Sequence, residues 1–236
     1  HTRSPMYLHK LELNLQSREA RRDLSDPYEL HSTLCRAFSV PEIKCPPGSL
    51  LWRAEPAAHP IRPPVILVQS RAVGDWSRIR HTWITTVSPP ANLQDKLQLD
   101  ALQAGQHFRF RLRANPSVSH NGKRRGLLTT QSQYHWLIRK GQVHGFTLPG
   151  RHTFDPTQAT SVYPNVTISQ PRILTGAQRS GNVMTIFSVL YDGVLTVTDP
   201  ERFRQALANG IGHGKVLGLG LLSIAPLGTQ TKLNDR

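Results

Sequence analysis

The sequence predicts an α+β protein built on antiparallel sheets. Two observations point there. Short segments alternate apolar and polar residues at 7–15 and 106–113, as half-buried strands do. Helix starts are few and sharply marked, by Asp26-Pro27 and Asp199-Pro200, and lie between runs of strand. With 38% hydrophobic residues, the 236-residue chain can bury a core.

In chain order, Tyr7-Leu-His-Lys-Leu-Glu-Leu-Asn-Leu15 opens as a strand facing the core on one side. Asp26 then caps a helix, Pro27 suits its first turn, and Glu29 occupies the capping-box position. That helix runs to Phe38, with Leu30, Leu34, Ala37 and Phe38 as its inner stripe. Strands follow at 50–55 and 64–70, whereas 71–104 is ambiguous around Pro89-Pro90. The strand over 106–113 turns Phe108, Phe110 and Leu112 one way and Arg109, Arg111 and Arg113 the other, toward solvent. Lys123, Arg124 and Arg125 lie near a glycine turn, and 131–140 reads as a second helix. Residues 141–181 read as loops with short strands. Asp192-Gly193 is a hairpin signal joining strands at 183–191 and 194–198. A last capped helix to about Ala208, a glycine-rich loop and a strand at 219–225 complete the chain. Two copies of a split βαβ unit account best for this order, although alternation by itself does not fix that topology. The expected division is a tag remnant at 1–5, an N-terminal domain at 6–116, a C-terminal domain with the glycine-rich loop at 117–228, and a tail at 229–236.

Composition narrows the function. Twenty-nine Lys and Arg against 15 Asp and Glu leave a net charge of +14, yet charged residues are only 19% of the chain. The usual share is about 25%, so the basicity comes from missing acids, and phosphate is the natural counterpart. No apolar stretch approaches the roughly 18 residues of a membrane span, and no secretory leader is evident. A cytoplasmic protein is expected. Two cysteines, Cys35 and Cys45, make neither a disulfide framework nor a zinc pair, and the 11 histidines lack metal-ligand spacing. No metal and no cofactor are expected.

Three features carry chemistry. Tyr28, His31 and Cys35 lie within roughly 60° of one another on the first helix at about 100° per residue, so a phenol and an imidazole can face one substrate. The bland alternative is a pair bordering the core. The loop Gly210-Ile-Gly212-His-Gly214-Lys215-Val-Leu-Gly218-Leu-Gly220 lacks the Ser or Thr of a P-loop and follows a helix, which fails the dinucleotide fingerprint. It either brings backbone amides and Lys215 to a phosphate or is a tight crossover without ligand. The arginine face of 109–113 suits a nucleic-acid backbone, with Lys123, Arg124, Arg125, Arg172 and Arg179 extending it.

Five motifs in order resemble the CasE family, the CRISPR repeat-processing endoribonucleases of type I-E systems. They are Met6-Tyr7-Leu8, Asp26-Pro-Tyr28-Glu-Leu-His31, Phe110-Arg-Leu-Arg-Ala-Asn-Pro116, Tyr191-Asp-Gly193-Val-Leu-Thr, and the loop from Gly212 to Pro226. The resemblance implies two tandem ferredoxin-like (RRM-like, βαββαβ) domains gripping a CRISPR repeat RNA hairpin. It implies metal-independent cleavage at the 3′ base of the stem, with His31 and Tyr28 as catalytic residues and Lys215 or an arginine offsetting phosphorane charge. The arginine strand and the loop around Arg172 and Arg179 would hold the stem. Expected partners are precursor and mature guide RNA and the other Cascade subunits; no membrane is involved, and the free protein is expected as a monomer. Ser32 departs from the longer polar residue frequent after that histidine, which would weaken RNA binding or slow the cut. A non-catalytic RNA-binding subunit of the same complex is the alternative.

Overall fold

A computed structural model describes residues 5–39, 45, 48–57, 59, 62–155, 158–177 and 183–227. Strand β1 (Tyr7–Leu13) is followed by helices α1 (Arg18–Ser25) and α2 (Pro27–Arg36), then β2 (Leu50–Ala54), β3 (Val65–Ser70), β4 (Ile84–Val87), β5 (Ala91–Asn92) and the single turn α3 (Leu93–Lys96). The second half runs β6 (His107–Ala114), β7 (Ser117–His120), β8 (Lys123–Gly126), α4 (Thr130–His144), β9 (Phe146–Thr147), β10 (Gly150–Asp155), β11 (Gln158–Pro164), β12 (Val166–Ala177), β13 (Val183–Val197), α5 (Pro200–Asn209) and β14 (Leu222–Pro226).

Both halves build the same antiparallel sheet. The first has the order β2-β3-β1-β4, with β5 also on β1; the second has β12-β13-β6-β14, with β9 on β13. Renumbered within each half, both orders are 2-3-1-4, the ferredoxin-like arrangement. The second half keeps both crossover helices, α4 and α5. In the first, only a 3-10 turn at Trp76–Arg78 lies between β3 and β4. The hairpins β7-β8 and β10-β11 are insertions in the second half.

Each sheet buries its own core. Leu11, Leu13, Leu30, Leu34, Trp52, Ile66, Val68 and Trp83 fill the first. Phe108, Phe110, Leu112, Trp136, Tyr191, Phe203 and Leu222 are among those filling the second, and Met6, Leu99 and Leu102 reach into it from the first half. Asp23, fully buried, ties α1 to its surroundings by accepting from Thr33 Oγ1 at 2.7 Å and Trp83 Nε1 at 2.9 Å.

Several expectations change. Strand β6 is central to the second sheet, between β13 and β14, so the division between units falls before His107 rather than at residue 116. Asp192-Gly193 makes no hairpin: β13 runs unbroken through it. Gly193 is there because a Cβ would lie 2.5 Å from Asn165 O just before the paired strand β12, and Asp192 because it accepts from Arg111 Nε at 2.6 Å. The Asp26 side chain caps α2 through Tyr28 N, as expected. Its own N–H instead closes α1 on Arg22 O and Asp23 O, so Glu29 cannot complete a capping box and pairs with Arg22 at 3.6 Å.

The two units are pinned by Arg53, which is 1% exposed in β2. It donates across to Arg111 O at 3.1 Å, Leu221 O at 2.9 Å and Ser223 Oγ at 2.9 Å, while Nε donates to Glu55 at 2.7 Å on its own side. Gln69 Nε2 adds a donation to Leu207 O at 2.6 Å. The glycine loop completes the junction: Gly218 has φ +76° and a Cβ there would sit 2.6 Å from the Trp52 ring, so only glycine seats the loop on β2.

Candidate active site

Helix α2 belongs to the first unit but packs on β12 and on the 3-10 turn Lys215–Leu217 of the second. Its first turn therefore faces a cleft between the units. The cleft encloses about 800 Å³ and is lined by Tyr28 from α2, Asn115 after β6, Arg124 and Gly126 from β8, Ile173 from β12, residues 185–187 of β13 and residues 213–217. Among the described residues, its lining includes no carboxylate. Gly176 lets the Tyr28 ring approach β12, since a Cβ there would overlap the ring.

His31 lies one turn further along α2, half-buried. Burial lowers its pKa below the ordinary imidazole value, so the ring is neutral at neutral pH. Among the described residues Nδ1 has no hydrogen-bond partner, and Nε2 lies 3.6 Å from Cys35 Sγ. Nδ1 is buried, and His31 is not among the residues that line the cleft, so of the predicted pair Tyr28 alone reaches it. Cys35 in turn shares a hydrogen bond with Cys45, whose Sγ is 3.0 Å from Ser49 Oγ.

The glycine loop sets the cationic wall. Gly210, Gly212, Gly214, Gly218 and Gly220 all have positive φ, and the chain turns tightly enough to place Gly214 and Lys215 on the cleft. Lys123, Arg124 and Arg125 form the exposed strand β8, and Arg124 reaches the cleft. Composition and spacing did not single out two further lining residues. His213, between two of the glycines, has its pKa lowered by burial and then by the charges of Arg124, Lys140 and Lys215. Asn115 is 5% exposed, and its Oδ1 has no partner among the described residues. The Gly212-His-Gly214 spelling was the available signal for the first; for the second, the end of a strand was all the sequence offered.

The outward arginine face expected over 109–113 is not present as a face. On the surface opposite Phe108, Phe110 and Leu112, exposure falls along the strand from Arg109 to Arg113, and Arg53 and Glu55 of the other unit meet it at Arg111. Arg111 is held by Glu55 at 2.7 Å and Asp192 at 2.6 Å, and these bonds raise its pKa. Arg113, 5% exposed, donates to the Gln170 carbonyl at 3.2 Å and its Oε1 at 2.7 Å. Burial, then the Arg172 charge, pulls Arg113 down to about 10, still protonated at neutral pH. Arg109 is exposed, as is Arg172 on β12. Arg179 and the 229–236 tail lie outside the described residues.

Among the described residues, no group of three or more His, Cys, Asp or Glu is placed to hold a metal ion, and no helix is long and apolar enough to cross a membrane.

Residues 6–226 match the family model described as CRISPR associated protein. The CRISPR-associated endoribonuclease Cse3 of Thermus thermophilus is 40% identical over 223 residues, covering 94% of this chain and all of that protein. The CRISPR system Cascade subunit CasE of Escherichia coli is 34% identical over 140 residues, 53% of this chain and 61% of that protein. The structure of Thermus thermophilus Cse3 bound to an RNA representing a pre-cleavage complex superposes with a TM-score of 0.77 at 40% identity, over 94% of this chain and all of that one.

Proposed function

The chain belongs to the family of CRISPR-associated proteins, and on that premise we propose that it binds the CRISPR repeat stem-loop in precursor RNA and cleaves at the 3′ base of the stem. The observation that carries this reading is the carboxylate-free cleft in which α2 of one unit, bearing Tyr28, meets Lys215 and Arg124 of the other. The reaction is in-line attack by the substrate's own 2′-hydroxyl on the adjacent phosphate. The P–O5′ bond breaks, leaving a 2′,3′-cyclic phosphate and a 5′-hydroxyl. Neutral His31 takes the 2′-hydroxyl proton, and Tyr28 stands one turn away to serve the leaving oxygen. Lys215 and Arg124 offset the charge that grows on the phosphorane. The mature guide RNA stays bound, as a subunit of the surveillance complex would hold it.

His31→Ala is expected to abolish cleavage of a repeat hairpin in EDTA while leaving its binding within about twofold, since a residue that only moves a proton contributes little to ground-state affinity. Undiminished cutting by that variant sinks the assignment. A hairpin with 2′-deoxyribose at the cut site is expected to resist wild-type enzyme; if it is cut, the nucleophile is not the 2′-oxygen.

A further inference from the structure

A second basic depression lies along α1 and the C-terminal end of α2, and shares no lining residue with the cleft. It encloses about 630 Å³ and is lined by Arg18, Glu19 and Arg22 of α1, Arg36 of α2 and Arg80. We propose that this depression binds phosphodiester groups of the single-stranded RNA that flanks the hairpin, a site distinct from the cleft.

The charge arrangement supports an anion. One carboxylate, Glu19, organises two arginines through single long interactions, Arg36 at 3.4 Å and Arg80 at 3.7 Å. Neither is the paired fork that would use up a guanidinium, so donors remain available on both. Arg80 is 78% exposed. Arg22 is engaged by two acids, donating from Nε and Nη2 to buried Asp23 at 2.9 and 2.7 Å and pairing with Glu29 at 3.6 Å, whereas Arg18 has no acidic partner among the described residues. The lining includes no apolar side chain among the described residues. An acidic protein partner would be anchored by a desolvated, largely apolar centre, which this site lacks. Phosphodiester groups need only the forks.

Position supports RNA. Tyr28 and Arg36 are eight residues apart on one helix, which at about 1.5 Å per residue separates the cleft wall from the depression by roughly 12 Å. A few nucleotides of single strand leaving the cleft span that distance. The site therefore rests on the cleft being the RNA-cleaving one.

The test uses full-length protein and three RNAs with 2′-deoxyribose at the cut: the bare hairpin, and the hairpin with a short single-stranded extension on its 5′ or its 3′ side. For wild type, one extension is expected to tighten binding about tenfold, as a pair of charge-assisted phosphate bonds would. In Arg18→Glu/Arg80→Glu that gain is expected to vanish, with the salt slope on extended RNA flattening by about 0.7 for each phosphate that is no longer neutralised. Affinity for the bare hairpin and cutting of its all-ribose form are expected to be unchanged. Arg18→Lys/Arg80→Lys is expected to keep most of the gain. No gain from either extension in wild type overturns the proposal, as does a gain that survives charge reversal. Equal weakening on bare and extended RNA also overturns it, because the arginines would then belong to the hairpin site. Binding of polyglutamate that the same variant abolishes, without an extension gain, assigns the depression to an acidic protein instead. If wild type fails to cut the all-ribose hairpin, the cleavage reading fails separately.

Discussion

Replacing Arg53 by Met keeps most of the side-chain volume and removes the charge that pins the two units. The wild-type guanidinium makes three donations across the junction, to two carbonyls and a hydroxyl, and is almost wholly buried. Glu55 loses one partner but keeps Arg111 at 2.7 Å, so no carboxylate is left alone. The main loss is the carbonyls of Arg111 and Leu221, left facing a thioether. Each charge-assisted bond contributes about 1.5–3 kcal/mol, and the relieved desolvation of the guanidinium offsets part of the sum. Breaking such a buried arrangement from one side costs about 3–5 kcal/mol, and a chain of this size loses roughly 2–4 °C per kcal/mol, so Tm is expected to fall by about 6–20 °C. Differential scanning calorimetry reads the shift directly. Arg53→Lys should recover little, because one ammonium cannot span acceptors arrayed for a planar fork. At temperatures where the variant stays folded, KM for the repeat hairpin should rise, since Tyr28 and Lys215 lie on opposite units. A fall in Tm below about 3 °C would refute the reasoning, because the apolar seat of the glycine loop on Trp52 would then suffice.

Gly176→Ala is expected to displace the Tyr28 ring and slow single-turnover cleavage at least tenfold (about 1.4 kcal/mol in the barrier), with binding little changed; a normal rate would remove Tyr28 from the chemistry. Buried His9 and half-buried His31 have pKa values lowered by burial, so below about pH 6.5 the unfolded chain takes up protons that the folded chain refuses. Stability should be full above that pH and fall as pH drops, by up to about 1.4 kcal/mol per unit from His9; chemical denaturation of His9→Gln should give a flatter profile, and an equal slope would contradict this. The hydrogen bond from Cys35 pulls Cys45 down to about 6, against the effect of burial, while the same bond and burial push Cys35 up. Iodoacetamide at neutral pH should therefore label Cys45 well before Cys35, which peptide mass spectrometry resolves; preferential labelling of Cys35 would reverse the assignment.

The alternation in β1 and β6 and the capped starts of α2 and α5 were legible because they are local. The period-2 pattern also assigned Phe108, Phe110 and Leu112 inward correctly. It could not reveal that the opposite face of β6 meets Arg53 and Glu55 at Arg111 and is buried at Arg113, since nothing within the strand records what a distant segment lays over it. Asp192-Gly193 misled for a related reason: both residues answer to long-range neighbours, Arg111 and Asn165, and not to a turn. Helix α1 was missed because it is short and polar, with Ala20 and Asp23 its only buried residues. Tyr28, Lys215 and Arg124 were each visible as chemistry, and only the packing of α2 on the second unit brings them to one cleft.

The Arg53 junction also sets a schedule for biosynthesis. Leu221, whose carbonyl it requires, is 168 residues downstream. At roughly 5–20 residues per second, a ribosome needs about 8–34 s to deliver it. During that interval the first unit presents Leu51, Trp52 and Arg53 uncovered, and the cleft has one wall. On the proposed reading, a nascent chain is expected to stay catalytically silent until β14 arrives, and the interval when it most needs a chaperone ends as the two walls of the cleft come together.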